Sequence, residues 1–572
     1  MSRVEAKKPS LYISEPLSKD IVHRSLSVLS SILKSCYGPT GRLKQLHNGV
    51  GGYVCTTSQS SAVLRCLSVS HPVLKVLTAS VQNHVSRFSD CGLFTAILCC
   101  SLIENLKSIN ILPCTVIKIS KHLLSLCTDY LQSEACACRV PVDFSNLETL
   151  FCLVRSVLTS KPACMLRKTE VDHLTRLTVK AFLLTVPCHV ETNAVLGKCV
   201  IVPMKGRRIA DSTVFPGLLL ETTENQFPKP LSVKRTSSDV IKVALFCVSM
   251  SGDLSDLDEG IITVHHGISL EMSELDQLLN VGKQLVNDGI GLVACQKVIH
   301  PSLKQYLKEN HVVTVDRVGL PMMEPLSQMT GALPIASIHD FSPSCYGSLK
   351  DICTVCFAPK RFVHLIPNDS LVCSLMLCNR NETTWDELKR AYETAEHVLQ
   401  LTLKEPLALL GGGCTETHLA SYIRHKSHDL PAGSFKAIDC SETQFQLVAD
   451  AFCRSLESVA SSLKHDDGDV FTDMVYGHCW LVPSGFSSVS NWSDLVSKCG
   501  CGINNNTQNL NWRVLQSQFS APVLQSCPKE PPVKAADFLT LDCFASKCSG
   551  LQVAVETANL ILDISCIIED QN

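Results

Sequence analysis

Three consecutive glycines, Gly411-Gly412-Gly413, separate two stretches with helical periodicity, 385–404 and 415–423. Because glycine has no side chain, the backbone there can approach a ligand or another chain segment closely. The backbone N–H groups at the start of the second helix could receive an anion such as a phosphate. A purely structural turn is the alternative interpretation, and the triple glycine alone does not decide between the two.

Two other breaks in the chain could take part in the same chemistry. The turn Gly38-Pro39-Thr40-Gly41 follows an amphipathic helix predicted over 17–35. Asp90-Cys91-Gly92 precedes an apolar helix predicted over 93–106. The residues that give the first helix its apolar face are Val22, Leu26, Leu29 and Leu33.

A weaker nucleotide-binding pattern occurs in the segment 192–199. It lacks the first glycine and the final Ser or Thr of a P-loop. Lys198 also precedes an apolar run, 200–203, that predicts a strand, whereas a P-loop needs a helix there. An ordinary loop is favoured, and the alternative set of binding residues would be Thr192, Gly197, Lys198 and Cys199.

Paired cysteines raise the question of a metal site. Cys353-Thr354-Val355-Cys356 is a single CxxC pair without a second pair at finger spacing, and it lies in a predicted strand. Cys136-Ala137-Cys138 and Cys499-Gly500-Cys501 are also poor metal or redox motifs, and the 19 histidines form no ligand set along the sequence. The sequence therefore predicts no metal site.

The composition indicates a large globular protein. A chain of 572 residues is too long to fold around a single hydrophobic core, so two to four domains are expected. Hydrophobic residues make up 45% and charged residues 18%, which excludes a disordered chain. With 51 basic and 54 acidic residues, the net charge is −3, and neither a nucleic-acid stripe nor an acidic tail is expected.

The cysteine content indicates a reducing compartment. The chain has 31 cysteines, an odd number with irregular spacing, and its first nine residues lack an apolar signal region. We expect reduced thiols, mostly buried as small apolar residues, in a cytosolic or nuclear protein. No apolar run approaches the roughly 18 residues of a membrane-spanning helix, so none is predicted.

The middle of the chain alternates predicted strands and helices. Apolar, β-branched runs predict strands over 240–248, 291–296 and 312–318, and helical periodicity predicts helices over 270–286 and 301–308. This pattern predicts an α/β layer between two helical parts. A last helix is predicted over 551–568, and polar or proline-containing surface insertions are predicted over 425–445, 464–485 and 503–540.

Taken in order, these motifs resemble those of the group II chaperonins of the TCP-1 family over nearly the whole chain. The common elements are a Gly-Pro-x-Gly turn, a hairpin arm, a His-Pro helix start, an Asp-containing turn and a late triple glycine. The residues that carry them are Gly38-Pro39-Thr40-Gly41, 51–57, His71-Pro72, Asp90-Cys91-Gly92, Leu158-Thr159-Ser160-Lys161, 211–217, Thr330-Gly331-Ala332, Gly411–Glu416 and Glu556-Thr557-Ala558.

The resemblance implies a multidomain fold, part α and part α/β, with three nested domains. A helical equatorial domain would comprise 1–150 and 405–572. A small intermediate hinge domain would comprise 151–211 and 366–404, and a single α/β apical, substrate-binding domain would comprise 212–365.

The resemblance also implies ATP and Mg²⁺ as cofactors. Phosphoryl transfer depends mainly on positioning and charge neutralisation, so each contributing position can be compared. The positions that match nucleotide-binding elements of the family are Gly38, Pro39, Gly41, Thr57, Asp90, Gly92, Gly411, Gly412 and Gly413.

Several matched positions carry a different chemical group. Gln59 replaces an aspartate and so offers a cation no charge, and Phe94 replaces a hydroxyl side chain in the phosphate turn. Thr394 falls on the catalytic aspartate, and a threonine cannot act as a carboxylate base. Glu393 or Glu396 could substitute only if the helix turned by about 100° or more.

A further loop is altered, because 502–506 replaces the family's adenosine-binding aspartate loop. We therefore expect an impaired ATPase, and the alternative is a ring-forming chaperonin subunit that hydrolyses ATP.

The resemblance implies protein clients and partners. Unfolded or partner polypeptides would bind an exposed apolar face of the apical domain, and core packing is the alternative for the same side chains. Other chaperonin-like subunits of Bardet–Biedl ciliary-complex assembly and the cytosolic chaperonin would be partners, in the cytoplasm at the centrosome or basal body, or in the nucleus. The candidate side chains are Leu275, Leu278, Leu279 and Val281.

Overall fold

The structure is a computed structural model that describes most of the chain. The described residues are 10–18, 20–47, 54–187, 196–222, 240–252, 270–338, 341–368, 371–465, 468–473, 477–482, 499–502, 512–515 and 539–569. They form two compact units, one built from Met1–Thr178 with Asn381–Asn572 and the other from Val179–Arg380. The finer division into five segments and three domains stays a prediction.

The described elements are numbered in chain order. The helices are α1 (Asp20–Lys34), α2 (Ser60–Cys66), α3 (Pro72–Phe88), α4 (Gly92–Lys107), α5 (Pro113–Gln132), α6 (Leu147–Thr159), α7 (Lys168–Thr185), α8 (Leu270–Asn287), α9 (Pro301–Glu309), α10 (Leu320–Thr330), α11 (Glu382–Lys404), α12 (Cys414–His428), α13 (Ala432–Ile438), α14 (Glu442–Ser461) and α15 (Phe544–Leu562).

The strands are mostly short. They are β1 (Leu11–Ser14), β2 (Lys44–His47), β3 (Val54–Thr57), β4 (Arg139–Pro141), β5 (Lys198–Lys205), β6 (Thr213–Pro216), β7 (Leu218–Thr222), β8 (Ile241–Phe246), β9 (Ile290–Cys295), β10 (Val313–Val315), β11 (Gly347–Leu349), β12 (Asp351–Phe357), β13 (Lys360–Ile366), β14 (Val372–Asn379), β15 (Leu407–Leu410), β16 (Asp469–Asp473), β17 (Cys479–Val482), β18 (Trp512–Val514), β19 (Leu541–Cys543) and β20 (Cys566–Glu569).

The first unit is organised around α4. This helix is apolar on every face, and a helix of that kind is stable only when it is buried on all sides. It packs against α1, α3, α14 and α15, so segments from both ends of the chain cover it. Burying one of its Leu or Ile side chains contributes about 1.5–3 kcal/mol.

Small sheets join distant parts of the first unit. The order β19-β15-β4 brings β15, which leads into the triple glycine, between strands from two other regions of the chain. The order β17-β16-β18 forms a second sheet, β2 and β3 form a hairpin, and β1 pairs antiparallel with β20.

The second unit is an α/β layer with two further sheets. Its largest sheet has the order β10-β9-β8-β11, with β8, β9 and β10 parallel. Helices α8 and α9 pack against one another beside this sheet, and their apolar side chains share a core with β8 and β9. The other sheets have the orders β12-β13-β7 and β5-β14-β6.

Most of the predicted elements are confirmed to within a few residues. Helices occur over Asp20–Lys34, Gly92–Lys107, Leu270–Asn287 and Pro301–Glu309, and the three central strands are present. The four apolar residues predicted for the first helix face are all buried. Among the described helices, none combines the length and the apolar character needed to cross a lipid bilayer.

Two predictions about the C-terminal half are wrong, namely the extent of the last helix and the surface insertion over 464–485. The last helix ends at Leu562, because Cys566–Glu569 pairs with β1 instead. Most described residues of 425–445 are exposed, as predicted for a surface segment, although Phe435 and Phe445 are buried against each other with ring centroids 5.5 Å apart.

The described part of 464–485 forms β16 and β17, which bury Val470 and Trp480. Most of 503–540 lies outside the described residues.

Candidate functional site

Six of the nine predicted nucleotide-contacting residues line one cavity in the first unit. We call this space, of about 220 Å³, the glycine-lined cavity. Gly41, Thr57 and Gly411 do not line it. The six residues that do are Gly38, Pro39, Asp90, Gly92, Gly412 and Gly413.

The turn that contains Gly38 forms one wall of the glycine-lined cavity. Gly38 has a φ of +82°, and a Cβ added there would lie 2.6 Å from Leu463 Cδ2. The N–H of Gly41 donates to the carbonyl of Gly38 at 3.1 Å, which closes the turn. The His465 ring nitrogen Nε2 lies 2.7 Å from the carbonyl oxygen of Tyr37, in hydrogen-bond contact. The glycine is therefore required by the packing of the turn itself.

The turn that contains Asp90 leads into α4 at the same cavity. Ser89 and Cys91 both have left-handed backbone conformations, with φ of 58° and 59°, which non-glycine residues seldom adopt. The Asp90 carboxylate lies 4.0 Å from Lys161 Nζ. Burial and the neighbouring Asp90 raise the pKa of the Cys91 thiol well above its ordinary value. Cys91 therefore stays neutral and adds no charge for a cation.

The triple glycine approaches another segment of backbone. Gly412 and Gly413 have φ of +65° and +83°, and a Cβ on Gly412 would collide with the carbonyl of Gly500. The N–H of Gly411 donates to Thr540 O at 2.8 Å, and the N–H of Thr540 donates to Cys501 O at 2.8 Å. The absence of a side chain at Gly412 is thus used for chain packing, as the structural alternative predicts.

The buried ammonium group of Lys547 contacts two residues that line the glycine-lined cavity, Asp542 and Phe94. Lys547 Nζ donates to Glu416 and to Asp542 Oδ2, the latter at 2.9 Å, and lies 4.1 Å from the centroid of the Phe94 ring. Burial disfavours this charge, but Asp542 and Glu416 outweigh it and raise the pKa of Lys547 well above its ordinary value. The cation is therefore committed to two carboxylates of the protein.

Thr57 takes part in a separate buried network. Its hydroxyl donates to the Glu387 carboxylate at 2.9 Å, and the N–H of Ser58 donates to the same group at 3.2 Å. The Gln59 amide nitrogen donates to the Glu387 carbonyl at 3.3 Å. This network joins β3 to α11, and it accounts for Thr57 as a structural residue.

Thr394 lies beside the Asp90 turn but outside the glycine-lined cavity. Its hydroxyl donates to the carbonyl of Ser89 at 3.5 Å, and its side chain lines a second cavity of about 670 Å³ together with Gln59 and Glu393. Burial and Glu393 raise the pKa of Glu396 on the same helix to about 7. Neither glutamate lines the glycine-lined cavity, so no α11 carboxylate reaches it.

The glycine-lined cavity fits an anion better than a hydrolysable nucleotide. The starts of α4 and α12 border it, and helix N-termini favour negative charge. Its volume falls below the range of about 300–1,000 Å³ that is typical of small-ligand pockets. Leucine and phenylalanine side chains, including Leu463, Leu481 and Phe94, also line it. Asp90 could hold Mg²⁺, and the second carboxylate that lines the cavity, Asp542, accepts a hydrogen bond from Lys547 Nζ at 2.9 Å.

The weaker P-loop alternative does not have the required structure. Thr192 lies outside the described residues, and Lys198 begins β5 rather than a helix. Lys198 Nζ pairs with Glu324 Oε2 at 3.0 Å, and Gly197 packs against the backbone of Leu371. Cys199 pairs with Cys373 in the parallel β5–β14 ladder. These residues form part of a sheet.

The exposure expected for the partner-binding residues is wrong for two of the four. Leu278 and Val281 are only 3% and 7% exposed, because they pack into the core that α8 shares with α9 and β9. Leu275 and Leu279 are partly buried, and Met272 on the same helix is 58% exposed. Partner binding by α8 stays a prediction.

Three charged residues of these sites escaped prediction from the sequence. Glu387 lies seven residues before Thr394, and nothing in its neighbours signals that Thr57 will meet it. Lys161 lies in a Thr-Ser-Lys turn that the family resemblance includes, so its approach to Asp90 could have been anticipated. Lys547 belongs to none of the sequence motifs described above, and its contact with Glu416 arises only from the tertiary structure.

Comparison with known proteins gives one family. The model of the TCP-1/cpn60 chaperonin family matches residues 29–572. The chain is 59% identical over 572 residues to a human protein named molecular chaperone MKKS and 56% identical to the mouse protein of that name, with full coverage of both chains. It is 24% identical over 557 residues to thermosome subunit alpha of Sulfurisphaera tokodaii, covering 94% of this chain and 89% of the thermosome subunit.

The comparison confirms a narrower resemblance as well. The cysteine-rich departures and the segment 36–59 resemble the vertebrate McKusick–Kaufman/Bardet–Biedl syndrome chaperonin-like protein in particular. The identity to the two mammalian proteins agrees with that resemblance.

Proposed function

Because the chain belongs to the TCP-1/cpn60 chaperonin family, we propose that it is a chaperonin-like molecular chaperone and assembly factor that hydrolyses little or no ATP. It would bind unfolded or partner polypeptides through its second unit. With other chaperonin-like subunits and the cytosolic chaperonin, it would assist assembly of the Bardet–Biedl ciliary complex.

One observation carries the proposal of an impaired ATPase. The side chain at the family's catalytic position is Thr394, and its hydroxyl donates to the Ser89 carbonyl instead of facing the glycine-lined cavity. A hydroxyl cannot hold or orient water as a carboxylate does near neutral pH. The contact between Gly412 and Gly500 further occupies the backbone that a nucleotide would approach.

The alternative is a ring-forming chaperonin subunit that hydrolyses ATP. Asp90 beside Lys161, and the two helix starts at the glycine-lined cavity, favour retained binding of a phosphate and Mg²⁺. This alternative requires a carboxylate other than the one replaced by Thr394 to orient water.

Nucleotide binding and turnover on the purified full chain distinguish the two. We expect no more phosphate release with Mg²⁺ and ATP than with an Asp90→Asn control, and no double ring in a light-scattering measurement of mass. Turnover that Asp90→Asn abolishes would refute the proposal and favour the alternative.

Client capture tests the chaperone activity itself. We expect the chain to suppress aggregation of a chemically unfolded polypeptide without added ATP. Leu275→Ser with Leu279→Ser should weaken suppression, whereas Leu320→Ser, an exposed apolar residue in the same unit, should not. Suppression that requires ATP hydrolysis, or no suppression at all, would contradict the proposal.

Co-expression tests the assembly role. The chain should co-purify with other chaperonin-like subunits of the Bardet–Biedl assembly system, and a nucleotide-site variant such as Asp90→Asn should do so equally well. Loss of co-purification in that variant would show that assembly depends on nucleotide.

A further inference from the structure

Four buried side chains of the kinds that bind zinc converge behind the triple glycine. Cys414, His478, Cys499 and Cys501 come from three separate segments, and one ligand atom of each lies within 4.8 Å of the others. Their exposed fractions are 0%, 1%, 5% and 0%. We call them the cysteine–histidine cluster. Burial of single cysteines as small apolar residues explains many thiols of this chain, but it does not explain this convergence.

The spacing within the cluster matches tetrahedral coordination at two of its three sulfur–nitrogen edges. Zinc–sulfur and zinc–nitrogen bond lengths put the two kinds of ligand atom about 3.6 Å apart. The Sγ atoms of Cys499 and Cys501 each lie 3.7 Å from His478 Nδ1. The two sulfurs lie 2.6 Å from each other. Binding zinc would require them to separate by about 1.2 Å, towards the sulfur–sulfur edge of about 3.8 Å.

The backbone around the cluster is fixed by hydrogen bonds. The N–H of Gly500 donates to Cys479 O at 2.8 Å, and the N–H of Gly502 donates to Cys499 O at 2.8 Å. The N–H of His478 donates to Asp473 Oδ2 at 3.0 Å, which ties the residue before β17 to the end of β16. The ligand atoms are therefore presented by backbone that is already ordered, as a structural metal site requires.

A second group shares His478. Cys138, His418 and His478 also meet the distance condition, but they supply three ligand atoms. His418 Nε2 lies 2.7 Å from the Tyr130 hydroxyl and is engaged there. The four-residue cluster completes a tetrahedral shell from protein atoms alone, which is the arrangement of closed, structural zinc sites.

We propose that Cys414, His478, Cys499 and Cys501 bind one divalent zinc-class ion in a closed Cys₃His site. Three thiols lose their protons to solvent on binding, and a neutral imidazole is the fourth ligand. Sulfur and imidazole ligands in tetrahedral array select zinc over magnesium or calcium. The sequence predicts no metal site, so this proposal differs from that prediction. The pair Cys499-Gly500-Cys501 alone does not indicate that Cys414 and His478 lie next to it in the fold.

The site would fix the wall of the glycine-lined cavity. Cys414 directly follows the triple glycine, and Gly500, between the two loop cysteines, packs on Gly412. A metal ion would therefore hold the loop against the triple glycine whether or not a nucleotide is bound. The inference does not depend on the proposed chaperone activity.

The first test measures metal in the full chain purified in a phosphine reductant. We expect about one zinc ion per chain by inductively coupled plasma mass spectrometry. Wild-type protein stripped and reloaded with Co²⁺ should show the visible absorption of tetrahedral cobalt–thiolate, a readout that needs no variant. Absence of both signals would overturn the proposal.

Variants then locate the ion. Cys499→Ser with Cys501→Ser should lose the zinc and the cobalt spectrum, and a chelator should lower the thermal midpoint of wild type but not of this variant. Cys353→Ser with Cys356→Ser, a paired change outside the cluster, should retain both. Equal metal in the two double variants, or a Cys499–Cys501 disulfide in freshly isolated protein, would refute the assignment.

Discussion

Replacing Lys547 by methionine removes a buried charge that two carboxylates share. Lys547 and Glu416 are 4% and 1% exposed at their side chains, whereas Asp542 is 27% exposed and can be hydrated. Removing one partner of a buried ion pair costs about 3–5 kcal/mol, because the other charge is left uncompensated. The lost contact with the Phe94 ring adds about 0.5–2 kcal/mol. We expect Lys547→Met to destabilise the first unit by about 4 kcal/mol.

Differential scanning fluorimetry measures this effect in the full chain. With an unfolding entropy of about 2.1 cal/mol/K per residue, a unit of roughly 370 residues shifts by about 1.3 °C per kcal/mol, so the first unit should melt roughly 5 °C lower. Adding Glu416→Gln removes the uncompensated charge, so the double variant should recover part of the loss. Lys118→Met breaks an exposed pair with Asp439 and should leave the midpoint unchanged.

The pH dependence gives a further check. The pKa of Lys547 is raised on folding, so its stabilising effect is complete below the unfolded value of about 10.5 and is lost only above it. The difference between wild type and Lys547→Met should therefore be constant between pH 6 and pH 9. A loss below about 1 kcal/mol, or no recovery on adding Glu416→Gln, would refute the reasoning.

Three other changes follow from the same structure. Thr394→Asp should not create ATP turnover, because its position lies outside the glycine-lined cavity, and phosphate release that depends on the new carboxylate would contradict this. Burial raises the pKa of Glu396 to about 7, above its unfolded value, so the folded chain binds more protons between those values and stability falls as pH rises through them. The free energy of unfolding of Glu396→Gln, relative to that of wild type, should therefore rise by up to about 3 kcal/mol from pH 5 to pH 8. An unchanged difference between the two proteins in urea unfolding would refute this prediction. Gly412→Ala should destabilise the first unit by at least about 2 kcal/mol, because Gly412 has a positive φ and an added Cβ would collide with Gly500. Gly433→Ala is the control, because a Cβ there meets nothing within 4 Å. Equal thermal midpoints of the two variants would refute this prediction.

Periodicity and motif order predict much of the fold. The apolar faces of α1 and α4 follow from local spacing, and the central strands from β-branched runs, so these elements needed no tertiary information. The family resemblance brings Gly38, Asp90 and Gly412 together, and the structure gathers them in one cavity.

The errors arise where partners are distant in sequence. The predicted last helix, 551–568, runs into β20, and only the pairing of β20 with β1 shows that segment to be a strand. Leu278 and Val281 look like an exposed stripe until α9 and β9 cover them. The cysteine–histidine cluster combines residues up to 87 positions apart, from Cys414 to Cys501, so no spacing rule could find it.

The packing of α15 on α4 has a consequence during synthesis of the chain. Lys107 ends α4 and Phe544 begins α15, so roughly 440 residues separate this apolar helix from one of its main neighbours. At about 5–20 residues per second, a ribosome needs about 20–90 s to release that neighbour. The second unit, 179–380, is continuous and can fold within that interval. During this time α4 is incompletely covered, and the nascent chain exposes its apolar side chains.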